Sequence, residues 1–245
     1  MSSATGSEQI ADGDFITLIL NATELRVDVH TSRDVQIMDV PVMSHSVADE
    51  GSVDDPRSWT RALVALLERP DFGAVSLRES SLIVRASEIG MVCLAANGET
   101  VYPILWAHDQ RSHDDAMWCR KKHDDDWWIK EVGLVPQAHH LVTKMSWLHR
   151  SEPDIWDNVR RICSLEDYVI EAVVRDSFPD LVSGTSIRSR PELLSQLGVW
   201  SAHTNTYSPA VLSLIDSQKD WTGVMPEVCA AGTRLGSQSD QRFLR

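Results

Sequence analysis

The chain has 245 residues, of which 42% are hydrophobic and 24% charged, a balance typical of a folded globular protein with one large domain or two small ones. Its net charge of −13 and the absence of any basic tract argue against nucleic acid or an anionic membrane as a partner. The sequence has neither an apolar run of about 18 residues nor a basic-then-apolar leader, so we expect a cytoplasmic protein that binds no membrane.

Four cysteines are spread along the chain without a Cys-x-x-Cys pair: Cys93, Cys119, Cys163 and Cys229. We expect reduced thiols, several of them buried. Residues 113–126 are strongly charged and predict a solvated helical surface. His113, Cys119 and His123 lie in this segment, but their spacing matches no compact ligand pattern, so we expect no metal site.

The opening segment predicts a small sheet. Residues 1–12 are small and polar and are expected to form a disordered tail. Asp14–Leu20 is a continuous apolar run suited to a buried strand. Leu25–Val29 alternates as a second strand would, and Val35–Val42 predicts a third.

A helix and a strand follow. Asp55 is a good N-cap and Pro56 fits the first helical position. Trp59 and Leu63 begin an apolar face at helical spacing. Ser81–Ala86 then predicts the next strand.

The centre of the chain predicts a hairpin. Met91–Ala95 is strand-like, Asn97-Gly98 is a strong turn signal because both residues accept positive φ, and Thr100–Trp106 returns as a second strand. Pro103 lacks an N–H and should lie at an edge or a bulge. The chain then becomes polar at residues 108–111, where an α/β scaffold presents ligand-binding groups.

Three helices are predicted after this hairpin. An apolar stripe starting at Leu141 predicts the first helix. Residues 151–154 approximate a capping box for a second helix that would run through Ile162, and residues 164–167 cap a third.

Several of these segments resemble the FGGY carbohydrate kinases. Ile104-Leu105-Trp106 followed by Asp109-x-Arg111 is similar to a family pattern, with one extra residue after the tryptophan. Residues 51–59 resemble Gly-x-Val-Glu-x-Asp-Pro-x-x-Trp, and residues 141–168 resemble Lys-Leu-x-Trp-Leu…Glu-Pro…Asp-Tyr-Leu.

The resemblance implies an α/β, ribonuclease H-like (actin-like ATPase) N-terminal domain with a mixed sheet flanked by helices, over residues 13–245. It implies ATP-dependent phosphorylation of a small-molecule sugar or polyol. The family's C-terminal nucleotide-binding domain has no counterpart in this chain, so we expect it to be absent, and expect either a separate C-terminal kinase domain or a homodimer as partner. The alternative is a non-catalytic carbohydrate-binding or regulatory remnant.

The family alignment also suggests site residues. Glu88 and Ile89 align with a substrate-contacting segment, and Asp109 and Arg111 complete the predicted sugar site. Thr23 aligns with the last residue of the phosphate-binding turn Asp-x-Gly-Thr and is the predicted cofactor-binding residue. ATP and Mg²⁺ are implied if the protein is active, and no cofactor otherwise.

The turn departs from the family, because Ile19 stands at the aspartate position and Asn21 at the glycine position, with one extra residue between Asn21 and Thr23. An isoleucine cannot bind a metal, and a residue with a Cβ crowds a phosphate.

The catalytic base, which takes the proton from the sugar hydroxyl, is predicted at Asp180. This position follows from counting forward from Asp167-Tyr168. Counting back from Gly198 puts Arg190 at the base position, unless residues 188–197 contain an insertion. Glu192 is a further alternative.

Overall fold

The computed structural model describes residues 15–21, 23–30, 43–68, 81–177 and 187–229. The strands are β1 (Phe15–Leu20), β2 (Glu24–His30), β3 (Met43–Ser46), β4 (Ser81–Ala86), β5 (Gly90–Leu94), β6 (Leu105–Trp106), β7 (Arg161–Ser164), β8 (Arg188–Ser189), β9 (Trp200–Ser201), β10 (Thr206–Tyr207) and β11 (Glu227–Val228). The helices are α1 (Pro56–Leu67), α2 (His113–Lys122), α3 (Asp125–Val132), α4 (Leu141–Ser151), α5 (Pro153–Trp156), α6 (Leu165–Ser177), α7 (Pro191–Leu194) and α8 (Pro209–Ile215).

The first sheet has four described strands in the order β3-β2-β1-β4. β1 pairs antiparallel with β2, with Leu20 opposite Leu25, and parallel with β4, with Leu20 opposite Ala86. The sheet is therefore mixed, as predicted. The strand predicted at Val35–Val42 and the tail predicted at 1–12 lie outside the described residues.

Helix α1 covers this sheet and begins where the sequence predicts. The Asp55 carboxylate accepts a hydrogen bond from the Arg57 N–H at 3.0 Å, and Pro56 occupies the first turn. The buried Trp59 lies 5.8 Å from Trp106, measured between ring centroids, and so links α1 to the next sheet. The first core contains buried residues from the sheet, α1 and α6: Leu20, Leu25, Trp59, Leu63, Leu66, Val84, Leu165 and Val169.

The predicted hairpin forms, but with a different turn. Only Gly98 has a positive φ, 85°, and its N–H donates to the Ala95 carbonyl while the Ala95 N–H donates to Glu99. The loop is thus three residues long, with the glycine in the left-handed position, rather than a two-residue loop in which Asn97 also has positive φ.

The returning strand is shorter than predicted. Thr100 forms an isolated bridge to Leu94, and regular pairing resumes only at Leu105–Trp106. Between them Pro103 has no N–H, and the Ile104 N–H donates to the Asp54 carbonyl at 2.7 Å instead of to a strand. This contact ties the hairpin to the N-terminal end of α1.

The predicted second helix over 151–162 is wrong beyond its first turn. Helix α5 ends at Trp156, and Arg161–Ser164 is a strand that pairs antiparallel with β5. Ile162 and Cys163 are buried in that sheet, so tertiary pairing overrides the helical spacing. The predicted cap of the third helix is confirmed, because the Asp167 N–H donates to Ser164 Oγ at 3.0 Å and Ser164 Oγ donates to the Asp167 carboxylate at 2.8 Å.

The second core lies between the sheet β6-β5-β7 and helices α3, α4 and α8. Its large buried side chains are Met91, Leu105, Trp128, Leu141, Met145, Leu148, Trp156 and Ile162. The predicted helical surface over 113–126 is formed by two helices, α2 and the start of α3, with a break at residues 123–124, and α2 buries Asp115, Ala116 and Cys119. Among the described residues, no cluster of three or more His, Cys, Asp or Glu side chains could hold a metal ion. No helix in the described ranges is long and apolar enough to cross a membrane.

Gly90 begins β5 at a point of close approach. A Cβ built there would lie 2.6 Å from Ile104 Cγ2 and 3.1 Å from Trp106 Cε3. Trp106 cannot easily shift, because its indole N–H donates to Asp54 at 2.8 Å. Gly90 therefore sets the spacing between β5 and the strand that leads to residues 108–111.

We expect Gly90→Ala to lower the free energy of unfolding by about 2–3 kcal/mol, because the added methyl overpacks a buried contact. Urea unfolding followed by tryptophan fluorescence measures this loss. The control is Gly133→Ala, where a Cβ meets nothing within 4 Å and only the φ of 78° opposes the change, so it should cost about 1 kcal/mol. An equal loss in both variants would contradict the close packing at Gly90.

Candidate functional site

The carboxyl ends of β1 and β4 lie side by side, because these strands are parallel and end together at Leu20 and Ala86. The Ser87 N–H and Ser87 Oγ both donate to the Leu20 carbonyl, at 2.9 and 3.1 Å. The turn after β1 and the segment after β4 are thereby held next to each other. This is the edge at which open α/β sheets bind ligands.

The turn after β1 is closed by its own hydrogen bonds. The Asn21 N–H donates to the Glu24 carbonyl at 2.9 Å, and the Asn21 side chain donates to the Glu24 carboxylate at 3.3 Å. Ile19 lies in the strand, opposite Arg26 and Arg85 in the ladder. Thr23 is exposed at the turn. The described residues of this turn therefore offer no carboxylate at the position of the family's metal ligand, and the Asn21 N–H is not available to a phosphate.

Glu88 connects the segment after β4 to the segment after β6. Its Oε1 accepts a hydrogen bond from the His108 N–H at 2.7 Å and lies 2.6 Å from the His108 Nδ1. The next residue, Ile89, accepts a backbone hydrogen bond from Ala107 at 2.8 Å. The His108 ring is exposed and nearly parallel to the ring of Trp106. His108 belongs to the stretch that is one residue longer than the family pattern, so the insertion forms a contact with Glu88.

Asp109 and Arg111 form a bidentate ion pair. Arg111 Nε lies 2.8 Å and Arg111 Nη2 lies 2.6 Å from Asp109 Oδ2. Burial disfavours ionisation of Asp109, but hydrogen bonds and charge from Arg111, with the charge of Lys144, outweigh it and lower the pKa of this carboxyl. The Arg111 guanidinium also lies 4.4 Å from the ring centroid of Trp147. The pair is thus held in one orientation while about half of the arginine side chain faces solvent.

Lys144 lies beneath this pair on α4 and is only 2% exposed. Its Nζ donates to the carbonyls of Asp109 and Ala138, both at 2.9 Å. Burial lowers the pKa of Lys144 to about 8, against the opposing effect of the Asp109 charge. Sequence reasoning missed Lys144 as a site residue. Two signals were available: Lys144 falls on the lysine of the Lys-Leu-x-Trp-Leu pattern, and it lies within the apolar stripe, three residues after Leu141 and four before Leu148.

The structure brings together four of the sequence-predicted site residues: Glu88, Ile89, Asp109 and Arg111. Thr23 lies on the adjacent turn, held there through the contact of Ser87 with Leu20. Asp180 lies outside the described residues.

Arg190, the alternative position for the catalytic base, cannot act as a base. Arg190 Nη2 lies 2.6 Å from Glu166 Oε1, and a guanidinium has donors only, so it cannot accept a proton. Glu166 in turn accepts a hydrogen bond from the Ala86 N–H at 3.1 Å. Arg190 therefore joins α6 to the start of α7. Glu192 is exposed in the first turn of α7.

The chain is similar to known sugar kinases over nearly its full length. It is 28% identical over 241 residues to the xylulose kinase of Streptomyces coelicolor, covering 94% of this chain and 45% of that protein. It is 26% identical over 242 residues to the xylulose kinase of Streptomyces rubiginosus, covering 96% of this chain and 46% of that protein. The crystal structure of xylulose kinase from Rhodospirillum rubrum superposes with a TM-score of 0.74 at 17% identity, covering 91% of this chain and 45% of that structure. No family model matches the chain.

These findings confirm the resemblance to the FGGY carbohydrate kinases and the predicted actin-like ATPase fold. The chain spans less than half the length of the two Streptomyces relatives, and the matched part is their N-terminal half.

Because Lys144 is buried, we expect the free energy of unfolding to depend on pH. The folded chain releases the proton near pH 8, whereas the unfolded chain holds it to the ordinary lysine value of 10.5. Between these values the unfolded state binds more protons, so the free energy of unfolding should rise with pH.

We expect this rise to be absent in Lys144→Met. The measurement is urea unfolding of both proteins between pH 7.5 and 10, because subtracting the variant removes the contribution of other titrating groups. The difference should approach a slope of one proton, about 1.4 kcal/mol per pH unit. A constant difference across this range would contradict a depressed pKa for Lys144.

Proposed function

We propose that this chain, a relative of the N-terminal half of the xylulose kinases, is the sugar-binding lobe of an FGGY-type carbohydrate kinase. In this proposal it holds a neutral sugar or polyol whose hydroxyl receives a phosphoryl group from ATP. The observation that carries the proposal is the fixed Asp109–Arg111 pair beside Glu88, at the sheet edge where the carboxyl ends of β1 and β4 meet.

The chemistry of these side chains suits hydroxyl groups. A carboxylate oxygen has lone pairs left over after binding Arg111, so Asp109 can accept a hydrogen bond from a sugar O–H. Arg111 has five N–H donors, and its half-exposed fork can donate to a sugar oxygen. Sugar hydroxyl groups can replace the water molecules that this half-exposed pair loses when the ligand enters.

The charge distribution favours an uncharged substrate over a sugar acid. Glu88 and Asp109 both present carboxylates at this edge, and the cations Arg111 and Lys144 are engaged by Asp109 side-chain and backbone oxygens. An anionic ligand would meet like charge without an unpaired cation. The names of the Streptomyces relatives make D-xylulose the first probe.

We include ATP and Mg²⁺ in the proposal because the relatives are kinases. The turn after β1, however, lacks the groups that would bind them. Ile19 supplies no metal ligand and the Asn21 N–H is already bonded. We therefore propose that a second lobe, whether on another polypeptide or a second copy of this chain, supplies most nucleotide contacts. Thr23 remains a proposed phosphate contact and Asp180 the proposed base. A cytoplasmic location belongs to the same proposal.

The similarity to kinases extends over nearly the whole chain and includes the site segments, so it does not favour the alternative of a non-catalytic binding or regulatory remnant.

D-Xylulose should bind to the chain alone and raise its melting temperature. Asp109→Asn and Arg111→Met should each weaken binding about tenfold or more, because each removes a charged hydrogen-bonding partner. Isothermal titration calorimetry and thermal shift measure both effects.

The matched control is the exposed pair Arg120–Asp125 between α2 and α3, with N–O distances of 2.9 and 3.1 Å. Asp125→Asn and Arg120→Met should leave sugar affinity unchanged. Absence of any binding by wild type at 100 mM sugar, or equal losses in the control variants, would overturn the proposal.

Turnover should require the second lobe. The chain alone with Mg-ATP and D-xylulose should form no product, whereas a fusion of this chain to the remaining half of the Streptomyces coelicolor relative should phosphorylate the sugar. Asp180→Asn in the fusion should lower kcat about 100-fold or more, as expected for loss of a general base. Product formation by the chain alone, or full activity of the Asp180→Asn fusion, would contradict this division of roles.

A further inference from the structure

Burial of a lysine ammonium costs free energy unless its N–H donors form hydrogen bonds, so a buried lysine points to a structural or functional role. Lys144 is one of the largest side chains that are fully buried in the described part of the chain, as are Trp59 and Trp156. It forms no close ion pair among the described contacts, and its Nζ bonds are to two backbone carbonyls.

Those two carbonyls belong to different loops. The Asp109 carbonyl lies in the segment after β6, and the Ala138 carbonyl lies in the turn before α4. Ser112 Oγ also donates to the Ala138 carbonyl, at 2.8 Å. Both ends of the short segment from Asp109 to Ser112 are therefore bonded to the turn that contains Ala138. The Asp109 end is held through Lys144, and the Ser112 end is held directly.

Between these two attachments lies Arg111. Its N–H donates to Asp109 Oδ1 at 2.9 Å, and its guanidinium binds the same carboxylate and contacts the ring of Trp147. Trp147 is on α4, three residues after Lys144, so one face of that helix contacts both the backbone and the arginine of the segment. Removing the ammonium would release the Asp109 end of this segment and leave the Asp109 carbonyl without this donor, whereas the Ala138 carbonyl would keep the hydrogen bond from Ser112 Oγ.

We propose that Lys144 is a positioning residue for sugar binding, which acts by fastening the Asp109–Ser112 segment to α4 so that Asp109 and Arg111 are held in their binding orientation before the sugar arrives. This inference rests on the proposed sugar site. Fixing a binding loop in advance lowers the ordering cost of association, so loss of the ammonium appears as loss of affinity.

Protonation of Lys144 matters because an ammonium donates charge-assisted hydrogen bonds to the two carbonyls, and these are roughly twice as strong as the bonds from a neutral amine. The ionisable groups that act on it are Glu88 and Asp109, which favour the charged form, and Arg111, which opposes it. His140, at the N-terminal end of α4, also interacts with it, and burial with the nearby charges of His139 and Lys144 lowers the pKa of His140 to about 4. His140 is thus neutral wherever Lys144 titrates, and the pKa of about 8 places loss of the lysine proton in an accessible range.

The first test measures the segment itself, without sugar. Hydrogen–deuterium exchange of the full chain should show faster exchange of peptides covering 107–112 in Lys144→Met than in wild type, by about tenfold or more at the Arg111 amide, with the β1–β4 sheet unchanged.

The second test measures affinity. D-Xylulose binding by calorimetry should weaken about tenfold or more in Lys144→Met, and wild-type affinity should fall between pH 7 and 9.5. Lys144→Arg keeps its charge across this range, so its affinity should not change with pH between 7 and 9.5. A purely structural role would lower stability without this pH profile.

Lys219 is the matched control, because its Nζ also donates to two carbonyls, those of Trp156 and Val159, at 3.4 and 3.0 Å. Lys219→Met should leave exchange at 107–112 and sugar affinity unchanged. Unchanged exchange at 107–112 in Lys144→Met would overturn the inference, as would an equal effect of Lys219→Met.

The readouts separate the two proposals. If wild type binds no sugar while Lys144→Met loosens 107–112, the proposed function fails and the fastening role stands. If Lys144→Met does not fold, the inference is tested on wild type alone, by measuring how exchange at 107–112 and sugar affinity change with pH. Profiles that stay flat through pH 8, after correction for intrinsic exchange, would then overturn the inference.

Discussion

The parallel pairing of β1 with β4 is the constraint on which the site depends. Because both strands end at the same edge, the turn at residues 20–24 and the segment at residues 87–89 meet there, and Ser87 fixes them with two hydrogen bonds to Leu20. Glu88 then reaches across to His108, which brings the second sheet's loop to the same edge. Without that pairing, the residues proposed to hold the sugar would belong to separate parts of the molecule.

The two sheets are joined by few but specific contacts. Asp54, in the loop before α1, accepts hydrogen bonds from the backbone of Ile104 and from the indole of Trp106. Gly90 lets both of these side chains approach β5 closely. The position of residues 108–111 thus follows from the N-terminal end of α1 as much as from the hairpin that carries them.

The electrostatics of the site rest on one buried cation and one partly exposed pair. Lys144 stabilises backbone carbonyls and the ionised form of Asp109, and Arg111 contributes both charge and stacking on Trp147. The arrangement leaves hydroxyl-binding oxygens and N–H groups accessible, while Arg111 and Asp109 are paired with each other. Such a surface suits a neutral polyol, and its contacts do not involve the turn after β1, where Ile19 supplies no metal ligand.

The sequence alone determined the local features whose cause lies within a few residues. The cap of α1 at Asp55, the cap of α6 at Ser164 and Asp167, and strands β1, β2, β4 and β5 follow from local hydrogen bonding and apolar pattern. Motif resemblance also identified the kinase fold and the cluster of Glu88, Ile89, Asp109 and Arg111. Only the tertiary structure decided that residues 161–164 form a strand, because they pair with β5, and that residues 102–104 leave the sheet, because the Ile104 N–H donates to the Asp54 carbonyl. It also decided the role of Lys144, because the burial of this lysine and its two hydrogen bonds to loop carbonyls result from packing and cannot be read from residue spacing.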